Sequence, residues 1–181
     1  MKEVIFFDID TQYDFMHKDG KLYVPNAESI IPNLKKLTQF AKKKNISVVA
    51  SADKHGHDKI KETVVRGAIA VPNEKLDRIK AKKLKKQKNL IIEKQKHNVF
   101  SNPNLKSILK GTRKAYVYGV ATDYCVKAAV LGLRKIGVET YVIKDAIKPV
   151  FKKNEKGNFA LFRKKGAKFL TTQQLLKKKV L

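Results

Sequence analysis

Apolar residues along this chain alternate between two rhythms. Short β-rich runs occur at Val4-Ile5-Phe6-Phe7, Ile46-Ser47-Val48-Val49-Ala50-Ser51, Leu90-Ile91-Ile92-Glu93-Lys94, Ala115 to Tyr118 and Val138 to Ile143. Between them, apolar positions recur every three or four residues, as at Ile30, Ile31, Leu34, Leu37, Phe40 and Ala41. Strand-like runs separated by helical periods predict a parallel sheet covered on both faces, a three-layer α/β/α domain. Asn26 is the expected cap of the first helix, with Pro32 tolerable near its first turn. A weakly periodic, heavily charged segment spans Leu76 to Lys86, and Pro103 can open a helix through Leu105, Ile108 and Leu109. Asp123 to Ile136 reads as the helix after the fourth strand, stopped by Gly137. Phe159 to Lys165 reads as a helix, Ala167 to Leu170 as a last short strand, and Thr171 or Thr172 as the cap of a C-terminal helix. No repeat or linker divides the chain, so one domain over residues 1–181 is expected.

Composition changes this picture in two ways. A chain of 181 residues with 43% hydrophobic content can bury a substantial core, and its single cysteine rules out an internal disulfide. No signal-like or membrane-spanning apolar stretch is present, so a cytoplasmic setting and no membrane partner are expected. The second change is charge: 41 basic against 16 acidic residues give a formal +25. Such a field holds phosphate polymers nonspecifically at low salt, which keeps nucleic-acid binding as a rival function. Arginine, however, occupies only Arg66, Arg78, Arg113, Arg134 and Arg163. Base-edge recognition leans on arginine, and the lysines are scattered over helix ends and loops, so no specific nucleic-acid partner is expected.

In open parallel sheets, working residues collect outside the carboxyl ends of the strands. Asp8 and Asp10, Asp53 and His55, Lys94, and Cys125 all meet that condition. Cys125 follows a strand at the expected start of a helix, where backbone N–H groups and the helix dipole favour thiolate. A thiolate attacking a carbonyl needs a proton carrier, a positive neighbour and donors for the oxyanion. Asp10, Lys94 and the amides around Ala121 to Cys125 supply one candidate for each. Each residue also has a plainer reading: a core thiol, a turn aspartate, a surface amine beside Glu93. His97, near Lys94, could border the pocket but reads as a solvated loop side chain, and His17 reads as part of a polar turn.

Four stretches together resemble the isochorismatase-like cysteine hydrolases, nicotinamidases in particular. They are Phe7-Asp8-Ile9-Asp10-Thr11-Gln12-Tyr13-Asp14-Phe15, Ser51-Ala52-Asp53-Lys54-His55, Glu93-Lys94 with Asn98-Val99-Phe100, and Gly119-Val120-Ala121-Thr122-Asp123-Tyr124-Cys125-Val126. The resemblance implies an isochorismatase-like variant of the Rossmann-like topology. It also implies an Asp10, Lys94 and Cys125 triad that hydrolyses a small-molecule amide through a thioester. By the same resemblance, a cis peptide precedes Ala121, the amides of Ala121 and Cys125 form the oxyanion hole, and Phe15 lines the ring pocket. A divalent metal, Zn²⁺ first and Fe²⁺ or Mn²⁺ as alternatives, would be held by Asp53 and His55 and would take the substrate's pyridine nitrogen. Relatives form dimers or tetramers, so a homo-oligomer is compatible with the resemblance.

The chain departs from the family pattern after Asp53. It has no tryptophan, and it runs from His57-Asp58 to Lys59-Ile60-Lys61-Glu62-Thr63 without the family's longer histidine-bearing loop. His57 is the remaining candidate for the third metal ligand, and a break between Asp58 and Lys59 would account for the shortened loop. The open alternatives are a related hydrolase of another amide or ureido substrate, and a catalytically disabled, basic nucleic-acid-binding protein.

Overall fold

The computed structural model of the chain describes residues 3–54 and 68–178. Seven strands form one sheet: β1 (Val4–Ile9), β2 (Ser47–Asp53), β3 (Ile69–Val71), β4 (Leu90–Lys94), β5 (Lys114–Val120), β6 (Glu139–Lys148) and β7 (Lys168–Leu170). Their order is β3-β4-β2-β1-β5-β6-β7, and every neighbouring pair is parallel. The helices are α1 (Tyr13–Met16), α2 (Ile31–Lys43), α3 (Arg78–Lys85), α4 (Leu105–Leu109), α5 (Cys125–Lys135), α6 (Glu155–Lys164) and α7 (Thr172–Leu176), with short 3₁₀ turns between some of them.

Two apolar clusters lie on opposite faces of the sheet, because successive strand side chains point to opposite sides. Ile5, Phe7 and Ile9 face Leu105, Ile108, Val126, Val130, Leu133 and Phe162 from α4, α5 and α6. Phe6 faces Leu34, Leu37, Ala41 and Leu175 from α2 and α7. Burying each such aliphatic or aromatic side chain contributes about 1.5–3 kcal/mol, which fixes the register of β1 between its neighbours.

Several local features differ from the sequence expectation, among them α6, which starts at Glu155 rather than Phe159. Asn26 does not cap α2: it takes a left-handed conformation, makes no side-chain cap bond, and leads into a 3₁₀ turn at Ala27–Ile30 that runs on into α2. A left-handed turn is open to asparagine because its short polar side chain tolerates positive φ. The short strand β3 was not expected, and β6 runs five residues beyond Ile143, its pairing with β5 shifting register between Val117 and Gly119. At α7 the expectation holds in detail, since Thr171 and Gln174 form a reciprocal capping box.

Candidate active site

Parallel register assembles the site from residues far apart in the chain. Asp53 and Lys94, the last residues of β2 and β4, are direct partners across adjacent strands. Asp10 follows β1 with φ at 49°, and its N–H reaches the Ser51 carbonyl at 3.3 Å. On the other side of β1, Gly119 sits against Ile9 with φ at 112°, where a Cβ would stand 2.1 Å from the Ile9 carbonyl oxygen. Glycine therefore allows β5 to deliver the next turn beside Asp10. The Val120–Ala121 peptide is cis. Cys125 is the first residue of α5, as the helix pattern predicted, although α5 starts two residues later than Asp123.

The turn before α5 is held by Asp123, whose carboxylate accepts from the N–H groups of Val150 (2.9 Å) and Phe151 (3.0 Å). The Thr122 N–H donates to the Lys148 carbonyl at 2.8 Å. The Ala121 carbonyl accepts from both Tyr124 and Val126 N–H groups at 3.0 Å. The segment after β6 is thereby tied to the cysteine turn and contributes Val150 and Phe151 to one wall of the site.

Lys94, fully buried, is the hub. Its Nζ lies 2.9 Å from Asp10 Oδ2, 2.7 Å from Asp53 Oδ2 and 3.7 Å from Cys125 Sγ. Burial alone would lower the pKa of this ammonium, but Asp10 chiefly, with Cys125 and Asp53, more than reverses that, and the group stays charged. Ser51 donates to Asp10 Oδ1 at 2.6 Å. Gln12 brackets the backbone of Asp53, accepting from its N–H at 2.7 Å and donating to its carbonyl at 3.0 Å. Lys94, Asp10, Asp53, Ser51 and Gln12, with both carboxylates almost fully buried, form a polar layer under a cavity of about 440 Å³. Asp10, Phe15, Asp53, His97, Ala121 and Cys125 are among the residues that line it.

The sulfur does not rest as thiolate. Burial pushes the Cys125 thiol well up, Asp10 raises it further as a negative neighbour and hydrogen-bond acceptor, and Lys94 offsets only part of this. The helix N-terminus loses to desolvation because charging a sulfur inside the fold forfeits its hydration. The resting pair is a neutral thiol beside a carboxylate, which is the arrangement a general base needs.

The structure brings Asp10, Lys94, Cys125, Asp53, Phe15 and Ala121 to one place. His55, His57 and the junction of Asp58 with Lys59 lie outside the described residues, so the expected Asp53 and His55 pair has one described member. His97, expected to face solvent without a role, is exposed but places Nδ1 3.9 Å from Cys125 Sγ, with its ring centroid 5.2 Å from that of Tyr124. Among the described residues, Asp53, His97 and Cys125 offer ligand atoms all within 4.8 Å of one another. One oxygen, one imidazole nitrogen and one sulfur form a donor set suited to zinc-like ions. Sequence reading missed the Ser51 bond to Asp10, the Asp53 contact with Lys94, and the approach of His97 to Cys125. Gln12 and Ser51 were marked beforehand only as members of the stretches carrying Asp10 and Asp53.

Residues 4–174 match the isochorismatase domain family model. Similar solved structures include a nicotinamidase from Staphylococcus aureus, with 17% identity, TM-score 0.74, and 93% of this chain and 99% of that one covered. A pyrazinamidase from Pyrococcus horikoshii, solved in complex with zinc, shares 25% identity at TM-score 0.71, covering 93% and 99%. A ribonuclease from Caenorhabditis elegans shares 17% identity at TM-score 0.73, covering 97% and 80%. No curated protein matches this chain in sequence.

Proposed function

This chain belongs to the isochorismatase family of hydrolases, and from that premise we propose that it cleaves nicotinamide, and analogues such as pyrazinamide, to the acid and ammonia. The observation that carries the reading is the buried Lys94 ammonium, 2.9 Å from Asp10 and 3.7 Å from the Cys125 sulfur, on the floor of a cavity sized for a small molecule. In the proposed reaction Asp10 takes the thiol proton as Sγ bonds to the amide carbon. Backbone N–H groups of Ala121 and Cys125 receive the oxyanion, each such donor contributing about 3–4 kcal/mol. Asp10 then passes its proton to the leaving nitrogen, the C–N bond breaks and ammonia departs. Water, deprotonated by Asp10, attacks the thioester carbon; the acid leaves and the proton returns to sulfur. Lys94 keeps Asp10 oriented and balances its charge throughout.

Phe15 offers an apolar face to the ring. By family resemblance Asp53 and His55 would hold a divalent metal, with His57 as the remaining candidate for a third ligand, and zinc in the pyrazinamidase supports that ion. When bound beside the triad, such an ion supplies a Lewis acid for a heteroaromatic nitrogen. A cytoplasmic setting is part of the same proposal.

Ammonia release from nicotinamide, assayed with and without Zn²⁺, Fe²⁺ or Mn²⁺, tests the reading. Cys125→Ala and Cys125→Ser should abolish release while the circular dichroism melt stays near wild type. Retained turnover in either variant overturns the covalent mechanism. Release from another amide or a ureido compound in place of nicotinamide would keep the triad and change the substrate. A second reading, nucleic-acid binding on a hydrolase scaffold, is favoured by the +25 charge.

A further inference from the structure

We propose that Asp53, His97 and Cys125 form a site for a thiophilic divalent ion such as Zn²⁺ or Cd²⁺, and that an ion held there silences the enzyme by occupying its nucleophile. The proposal rests on the reading of Cys125 as nucleophile and adds to it a metal-dependent off state. It differs from an assisting metal held by Asp53 and His55, which would leave the sulfur available.

Geometry gives the first argument. In a tetrahedral site with Zn–S near 2.3 Å and Zn–N near 2.0 Å, sulfur and nitrogen stand about 3.5 Å apart. His97 Nδ1 is already 3.9 Å from Cys125 Sγ, and all three ligand atoms fall within 4.8 Å. His97 is exposed, and only a few tenths of an ångström of ring movement, alongside Tyr124, closes the gap. Three protein ligands leave the fourth position to water from the cavity.

Charge gives the second. Asp10 and Asp53, both almost fully buried, lie against the Lys94 ammonium, so an ion arriving at the sulfur meets two carboxylates as well as that ammonium. A dication bound to the Cys125 thiolate adds one net positive charge beside these two carboxylates, which favour it. Lys94 engages Asp53 through Oδ2, but a carboxylate carries about four lone-pair sites and can serve an ammonium and a metal together. The nearby ammonium still repels any cation. Ions that gain bonding from sulfur overcome this, whereas Mg²⁺ and Ca²⁺, which prefer oxygen, do not. On binding, the Sγ–metal bond replaces the S–H bond and the proton leaves to solvent.

The test is a Cd²⁺ titration of metal-stripped protein without substrate, read by the ultraviolet sulfur-to-cadmium charge-transfer band and by alkylation of Cys125 with iodoacetamide. A saturable band should develop in wild type and be missing in Cys125→Ser. His97→Ala, a change at an exposed position, should weaken Cd²⁺ binding at least about tenfold, the scale seen on removing even an outer partner of a metal site. Cd²⁺ or Zn²⁺, but not Mg²⁺, should protect Cys125 from alkylation. No band, unchanged affinity in His97→Ala, or alkylation at the metal-free rate overturns the proposal. These readouts need no turnover, so their failure leaves the amidase reading standing. Conversely, a protein that shows the band but releases no ammonia under any metal loading overturns that reading, and with it the off state, while the ion site stands.

Discussion

Asp8 lies on β1 two residues before Asp10, where burial pushes its carboxyl up from 3.8 to about 7, the Thr11 hydrogen bond opposing and the Asp10 charge adding to the rise. Between those values the folded chain keeps a proton that the unfolded chain has released, so stability through this group falls as pH rises from about 4 to about 7. Asp8→Asn should flatten that part of the stability–pH curve, measured by urea unfolding at several pH values; an unchanged slope would assign the loss elsewhere. At this scale the triad was legible, because the signatures around Asp10 and Cys125 mark where strands end. The charge state of the sulfur was not, because desolvation depends on what packs around Cys125 rather than on its neighbours in sequence. Ser51 and the pairing of Asp53 with Lys94 were hidden for a related reason: each contact is created by register between strands. His97 looked like a loop residue because nothing local shows that its loop passes over α5.

At the scale of elements, the close contact of β1 with β5 depends on the bare backbone of Gly119. Gly119→Ala would combine a positive φ with a Cβ 2.1 Å from the Ile9 carbonyl oxygen. The expected loss is at least about 2 kcal/mol in chemical denaturation, accompanied by reduced turnover because Ile9 leads directly into Asp10. A variant of unchanged stability and activity would show that β1 yields without cost. The central strands and longer helices were readable from their apolar periods alone. The three residues of β3, two of them exposed, carry too little burial to show a period, and the extension of β6 comes from a shift in pairing that no local pattern encodes. Asn26 was misread because asparagine suits both a helix cap and a left-handed turn.

For the whole molecule, the dominant property is its positive field. On α3, Arg78, Lys80, Lys82, Lys83 and Lys85 lie close together, and no acidic residue stands in the helix's first turn. Fluorescence anisotropy with a short RNA or DNA should show binding at about 50 mM salt that weakens roughly a thousandfold or more by about 200 mM, as counterion release dictates. Tight binding that survives physiological salt would favour the nucleic-acid reading over the hydrolase. Among the described residues no helix is long and apolar enough to cross a membrane.

The four strands that carry Asp10, Asp53, Lys94 and the cysteine turn are adjacent in the sheet but come from widely separated stretches of the chain. A polypeptide emerging from the ribosome gains its base, then its ammonium, and its sulfur last of the three. Until that final addition docks, no shorter fragment brings Asp10, Lys94 and Cys125 together, so the proposed chemistry requires a chain made at least through Cys125.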